Sequence, residues 1–290
     1  MHSNKFLAAV CLAVTLSACG KKQPGTYEIP DATAGSAGVD TSAADALWEQ
    51  RADVANLQAA LQKYEEIWQA DPTNRDAAIR LTRGWYFMGD AYESESDAKI
   101  VAWETAVSWG KKCMALNGEF TALLENGNET EATAVRVATV DDGPCIYWSA
   151  TALGKWAGLK GLGTLLKHKA TVFAYISKVA ELDSSYYYNA TDRYWGAYYS
   201  ALPSFAGQDL PKSKEHFDIA IAAAPQNLSA RVLMADYYAV RMQDRALFEQ
   251  LLNEVLAADA TVEPALEPEN LAEQEKARRL LENADELFAN

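Results

Sequence analysis

Residues 202–225 read LPSFAGQDLPKSKEHFDIAIAAAP. Asp209 is placed to open a helix, Phe217, Ile219, Ala220 and Ile221 follow at helical spacing, and Pro225, which cannot extend a helix, ends it. One amphipathic helix of this length is marginal alone, so partners are expected on either side. Upstream, Leu47, Trp48, Leu57, Leu61, Tyr64, Ile67 and Trp68 keep helical spacing over residues 44–71. This predicts a short helix and then a long one, closed by the turn Asp71-Pro72-Thr73-Asn74. A further helix carries Leu81, Trp85 and Tyr86, and its partner is expected only after a delay through residues 91–102, running from Trp103 to Leu116. Residues 118–144 form an insertion whose weakly alternating centre, 135–140, reads as a loop or short hairpin. Helices are then predicted over 145–159, over 161–182 with Leu165, Leu166, Val172, Phe173, Ile176, Val179 and Leu182 buried, and over 187–202. After Pro225 come a helix with Leu233, Met234, Tyr237 and Tyr238 and a partner with Phe248, Leu251, Leu252, Val255 and Leu256.

These registers resemble the tetratricopeptide pattern. Phe217, Ala220 and Pro225 fall at signature places of a repeat's second helix, as do Ala60, Tyr64, Ile67 and Pro72. Leu81, Trp85, Tyr86, Gly89 and Asp90 match the first helix that follows. Repeat ends at Asp71, Asn117, Asp183, Ala224 and Asp259 are separated by 46, 66, 41 and 35 residues, and only the last interval approaches the regular period. The expected fold is therefore all-α, built of degenerate tetratricopeptide-like hairpins in an α-solenoid, either open or closed around a pore. Each hairpin buries its apolar face on its neighbours. The charged segment 267–288, with Leu271, Ala277, Leu280, Leu281 and Leu287, reads as a helix that caps the array.

Composition narrows the class. The 290 residues are 49% hydrophobic and 23% charged, enough for one large or two small cored domains, and the net charge of −14 opposes binding to nucleic acid or an anionic bilayer surface. The start of the chain has Lys5, an apolar run over 6–16 and then Leu16-Ser17-Ala18-Cys19, which resembles a bacterial lipobox. Residues 1–19 are read as a signal peptide with the lipid on Cys19, residues 20–43 as a flexible tether, and residues 44–290 as the helical-repeat domain. Gly20, in place of Asp, implies release to the outer membrane with the body facing the periplasm. In that oxidising compartment Cys113 and Cys145 are expected to form a disulfide.

No catalytic, metal or cofactor set stands out. His168 lies between two lysines, His216 follows Glu215 on a helix, and neither shares a motif. Asp141-Asp142-Gly143 lacks the spaced oxygen ligands of a calcium loop, and Gly158, Gly161 and Gly163 follow no strand. Aromatic density is the remaining signal. Tyr and Trp pair an apolar face with a polar handle, which suits the wall of a ligand cavity. Most of these rings individually read as packing in hairpin interfaces; on helices placed to line the concave side, Trp85, Tyr147, Trp148, Tyr194, Trp195, Tyr198 and Tyr237 are the candidates, with Arg193 read equally as a group that orients a carboxylate or as a surface or ion-paired residue.

Several segments together resemble the lipoprotein T components of TRAP transporters. They are Arg83-Gly84-Trp85-Tyr86-Phe87-Met88-Gly89-Asp90, Ser185-Tyr186-Tyr187-Tyr188, Leu202-Pro203-Ser204-Phe205, Gly207-Gln208-Asp209-Leu210, Lys214-Glu215-His216-Phe217 and Met234-Ala235-Asp236-Tyr237-Tyr238-Ala239. The resemblance implies a non-enzymatic helical lipoprotein that forms homotrimers, carries an apolar-lined channel in each subunit and docks the periplasmic solute-binding P component. The insertion at 118–144 is long for that family, and its two flanking cysteines are not part of the general pattern. The expected function is to bind or pass a small, partly apolar solute. The alternative is an envelope scaffold that holds a protein partner along a concave surface.

Overall fold

Short polar residues start and stop these helices. Asp53, Asn74, Asn117, Asp209 and Asp244 each accept a backbone N–H from the first turn of the helix that follows, satisfying a donor that has no partner within the helix. A second device marks hairpin ends: Asp71, Asp183, Asn227 and Asp259 each accept from the backbone N–H and the hydroxyl of a Ser or Thr two residues on. Three of these are repeat ends read from the sequence. Asn227 takes the role three residues after Ala224.

The computed structural model describes Tyr27 and residues 39–288. Cys19 and the leader lie outside the described residues, as does most of the tether. The helices are α1 (Ser42–Glu49), α2 (Val54–Ala70), α3 (Arg75–Phe87), α4 (Ser96–Ala115), α5 (Gly118–Glu125), α6 (Glu131–Ala134), α7 (Gly143–Lys160) and α8 (Leu162–Leu182). They continue as α9 (Tyr186–Ala201), α10 (Leu210–Ala223), α11 (Ser229–Leu233), α12 (Val240–Met242), α13 (Arg245–Ala257), α14 (Glu267–Glu282) and α15 (Ala284–Leu287). Two π turns extend helices without a break: π1 (Met88–Tyr92) follows α3, and π2 (Met234–Ala239) joins α11 to α12. Among the described residues there is no strand, and no helix is long and apolar enough to cross a membrane. The fold is all-α.

Neighbours in sequence pack on one another: α2 on α1 and α3, α4 on α3 and α7, α7 on α8, and α9 on α10. One buried cluster runs from Trp48, Leu57 and Tyr64 to Ile176 and Trp195, and a second joins Phe217, Phe248 and Leu252 to Phe288. Close approach demands a glycine where α9 meets α10, because a Cβ on Gly196 would lie 2.6 Å from the Phe217 ring. The helix that opened the sequence reading is real, but only Phe217 and Ala220 of its apolar quartet are buried and Ile219 is exposed.

Four expectations are corrected. The partner of α3 begins at Ser96, because π1 takes up residues 88–92 and shortens the delay. The insertion carries α5 and α6 ahead of its centre, and the centre, read as a loop or short hairpin, forms no hairpin but two short 3₁₀ turns, Val135–Val137 and Val140–Asp142, around two irregular residues. On α8, Leu166 and Phe173 are exposed. Regular helix in α9 begins only at Ala190, since Tyr187, Tyr188 and Asn189 have φ of 43°, 59° and 54°. Three successive left-handed residues without glycine cost about 1–2 kcal/mol each.

α14 is a correction of a different kind. Its buried residues include Asn270, Glu273 and Gln274, while Leu271 is exposed. Rather than capping one end with a polar back, it packs on α11, α13 and π1 and returns the chain to the first hairpins. Ion pairs fasten it there. Glu269 accepts from Arg51 on the α1–α2 turn and from Arg83 on α3, each at 2.7 Å, and Lys276 pairs with Asp90 on π1 at 2.5 Å.

Candidate functional site

The helices line a cavity of about 500 Å³, within the range of small-molecule sites. α7 presents Tyr147, Thr151, Gly154 and Gly158 to it at three- and four-residue spacing, and α9 presents Arg193, Tyr194, Ala197, Tyr198 and Ala201 in the same way. Leu165, His168 and Val172 of α8, Leu233 and Tyr237 around π2, and Tyr86 and Trp103 complete much of the wall. Gly154 lets Tyr194 come close: a Cβ there would meet Tyr194 Oη unless the ring shifted.

Six of the sequence candidates thus lie on this cavity: Tyr147, Trp148, Arg193, Tyr194, Tyr198 and Tyr237. Two do not. Trp195 is 8% exposed and packs on Phe173, Tyr198 and Tyr199 on the other side of α9. Trp85 packs into the clusters beside α3, where its Nε1 has no hydrogen-bond partner among the described residues. Trp195 is a core residue and Trp85 is partly buried against the core; each sits on its helix turned away from the wall that the cavity uses.

The walls also carry charges that sequence reasoning missed. Asp90 lies between Lys155 Nζ at 3.0 Å and Lys276 Nζ at 2.5 Å, and Lys276 also pairs with Glu273 at 2.8 Å. Burial opposes ionisation of Asp90, but the two ammonium groups outweigh it and hold the carboxyl well below the usual carboxylate range. Burial likewise penalises the Lys155 ammonium, and Asp90 with the phenols of Tyr237 and Tyr86 more than offsets this. Asp236, on the second π turn, behaves oppositely: burial raises its pKa despite the field of both lysines. Asp90 and Asp236 stand at the same place in Met-Gly-Asp and Met-Ala-Asp, each in a π turn. Such turns recur at functional sites.

Glu269, Glu273 and Lys276 reach the cavity from α14, spaced four and three residues apart on one face. That spacing was the available signal. In a sequence it is indistinguishable from a solvated face of a terminal helix.

Arg193 differs from the other cations. It is 5% exposed, and its guanidinium donates to the Tyr188 carbonyl at 3.3 Å and to Tyr147 Oη at 3.4 Å. Among the described residues no carboxylate pairs with it. Arg83 instead sits over the rings of Trp48, Trp148 and Tyr187 and is neutralised by Glu269. The strained start of α9 is held between these two arginines: Arg83 donates to Tyr187 Oη at 2.9 Å while Arg193 holds the Tyr188 carbonyl.

A second cavity of about 310 Å³ adjoins the first at His168, which borders both. Burial, with Lys167 adding to it, lowers the His168 pKa below its ordinary value, and its ring packs edge-on to Trp156. Cys113 and Cys145 are joined near this region with Cα atoms 5.6 Å apart. Among the described residues no group of His, Cys, Asp and Glu is arranged to hold a metal.

No curated protein matches the chain. The family model TAtT, described as TRAP transporter T-component, matches residues 52–288, which spans α2 to the end of α15 and every wall of the cavity. The chain belongs to the TRAP transporter T-component family.

Proposed function

We propose that this T component binds or passes a small, partly apolar solute through the aromatic cavity and exchanges it with a periplasmic solute-binding P component. The observation that carries the reading is the pairing of an aromatic lumen with Arg193, a buried cation that has no carboxylate of its own. A buried charge is costly unless compensated, so an anionic group on the solute, such as a carboxylate, is the natural complement. The Tyr and Trp faces then cover the apolar part, contributing at most about 25 cal/mol per Å² before ordering costs. No bond is made or broken. Convergence of the rings and of a buried, carboxylate-free arginine on one cavity supports this reading over the scaffold alternative, which would use an extended groove for a peptide.

The lipid on Cys19 would anchor the chain to the outer membrane with its body in the periplasm, and the assembly would be a homotrimer. Native mass spectrometry of the purified chain, alone and with a co-encoded periplasmic solute-binding protein, tests the assembly and the partner together. A trimer that takes up the partner supports the proposal, whereas a monomer that ignores it refutes both. For the solute, Arg193→Gln should weaken binding of an apolar monocarboxylate by about 10- to 100-fold, the worth of one charge-assisted hydrogen bond. The neutral amide of the same compound should bind both forms equally.

A further inference from the structure

Tyr27 stands apart from the helical body in sequence yet is packed into it. Its hydroxyl donates to Glu131 Oε1 on α6 at 2.9 Å and lies 3.2 Å from Tyr175 Oη on α8. The ring meets Phe120 of α5 edge-on, with centroids 5.4 Å apart, and Lys111 Nζ lies 5.5 Å over its face. With Tyr27 in place Phe120 and Tyr175 are buried, at 0% and 3% exposure, and Glu131 is half-buried, so the ring sits among side chains from α5, α6 and α8. Tyr27 is also the only aromatic residue between Cys19 and Trp48.

The socket accounts for the insertion that the transport reading leaves unused. α5 carries Phe120 and α6 carries Glu131, and their frame is braced against the body. Asn117 caps α5 and donates to Asp142, Asp142 pairs with Arg75 at 2.6 Å, and the Cys113–Cys145 link closes the base.

We infer that residues 118–134 and α8 form a mooring site for the chain's own N-terminal segment, with Tyr27 as the side chain that docks. The consequence rests on the lipid anchor proposed above. Cys19 and Tyr27 are eight residues apart, a reach of at most about 28 Å, whereas a free tether up to Ser42 would reach about 80 Å. Mooring therefore holds the body close to the bilayer and fixes which side faces it. It also seats Tyr27 against the second cavity, on whose wall it lies.

Chymotrypsin cuts after aromatic residues and tests this on the full chain purified from bacterial membranes. The Tyr27–Glu28 bond in the folded protein should be cut at least about tenfold more slowly than in a free peptide of residues 20–34. Tyr27→Phe keeps a cleavable ring and removes only the hydroxyl; it should raise cutting, relative to its own matched peptide, by about tenfold for the two hydrogen bonds lost. Glu131→Ala combined with Tyr175→Phe should recover most of the peptide rate. A wild-type rate equal to the peptide's, or Tyr27→Phe as well protected as wild type, would overturn the mooring. The anchor reading is judged separately by the mass of the fragment ending at Tyr27, released after denaturation. Absence of lipid on Cys19 would sink the anchor and leave the protection ratios to decide the mooring alone.

Discussion

Glu269 should be the residue on which closure of the helical ring depends. It receives Arg51 Nε at 3.2 Å, Arg51 Nη2 at 2.7 Å and Arg83 Nη2 at 2.7 Å, and the side chains of the three residues are only 18%, 2% and 14% exposed. Glu269→Gln keeps the shape and removes the charge, leaving two buried guanidinium groups without a counter-ion. Breaking a buried ion pair from one side costs about 3–5 kcal/mol. The residual exposure of Glu269 places the loss near the lower figure, about 3 kcal/mol. For a chain of this size that corresponds to a fall in Tm of roughly 6–12 °C by calorimetry. The pH profile supplies an independent check. Burial opposes ionisation of Glu269, and Arg83 and Arg51 overcome it, so its folded pKa lies below that of the unfolded chain. Its contribution is thus fully present above about pH 4.3 and is lost as the pH falls through the folded value. The Gln variant should lose that share of the acid sensitivity, and hydrogen exchange should show α14 opening before the rest. A Tm change under about 2 °C, with an unaltered acid limb, would refute the clamp.

Other perturbations separate lumen from core. Asp90→Asn leaves Lys155 and Lys276 facing each other without their shared carboxylate and should cost about 3 kcal/mol in urea unfolding. Trp195→Ala should destabilise by about 3–5 kcal/mol through the cavity it opens, without changing the affinity of the remaining folded protein for solute. Trp148→Ala should do the reverse in emphasis: solute affinity falls in calorimetric titration more than the loss of stability explains, because the ring lines the lumen. Reducing the Cys113–Cys145 link, which closes a span of 32 residues, should cost about 3–4 kcal/mol and loosen the insertion first, read by proteolysis within residues 118–142.

The all-α class and nearly every helix of the body were legible in the chain because their information is local. Apolar spacing, Asx residues ahead of helices and prolines behind them act within a few residues of where they stand. Asp71, Asp183 and Asp259 punctuate the chain through bonds to residues two places on, so sequence alone locates them. Membership in the TRAP T-component family was carried by the same kind of short segments, later matched over residues 52–288. Aromatic density announced a lumen for a similar reason, since so many rings exceed what helix packing consumes. What sequence could not sort was which of two adjacent rings faces inward: Tyr194 lines the cavity and Trp195, one residue on, is core. That choice depends on the rotation of α9 against α8 and α10, set in part by the three left-handed residues at its start. The charged set was hidden more completely. Asp90 and Lys276 are 186 residues apart, and each alone resembles a solvated charge. Only the return of α14 onto π1 brings them within 2.5 Å and out of water, where a pairing negligible on a surface becomes a structural bond.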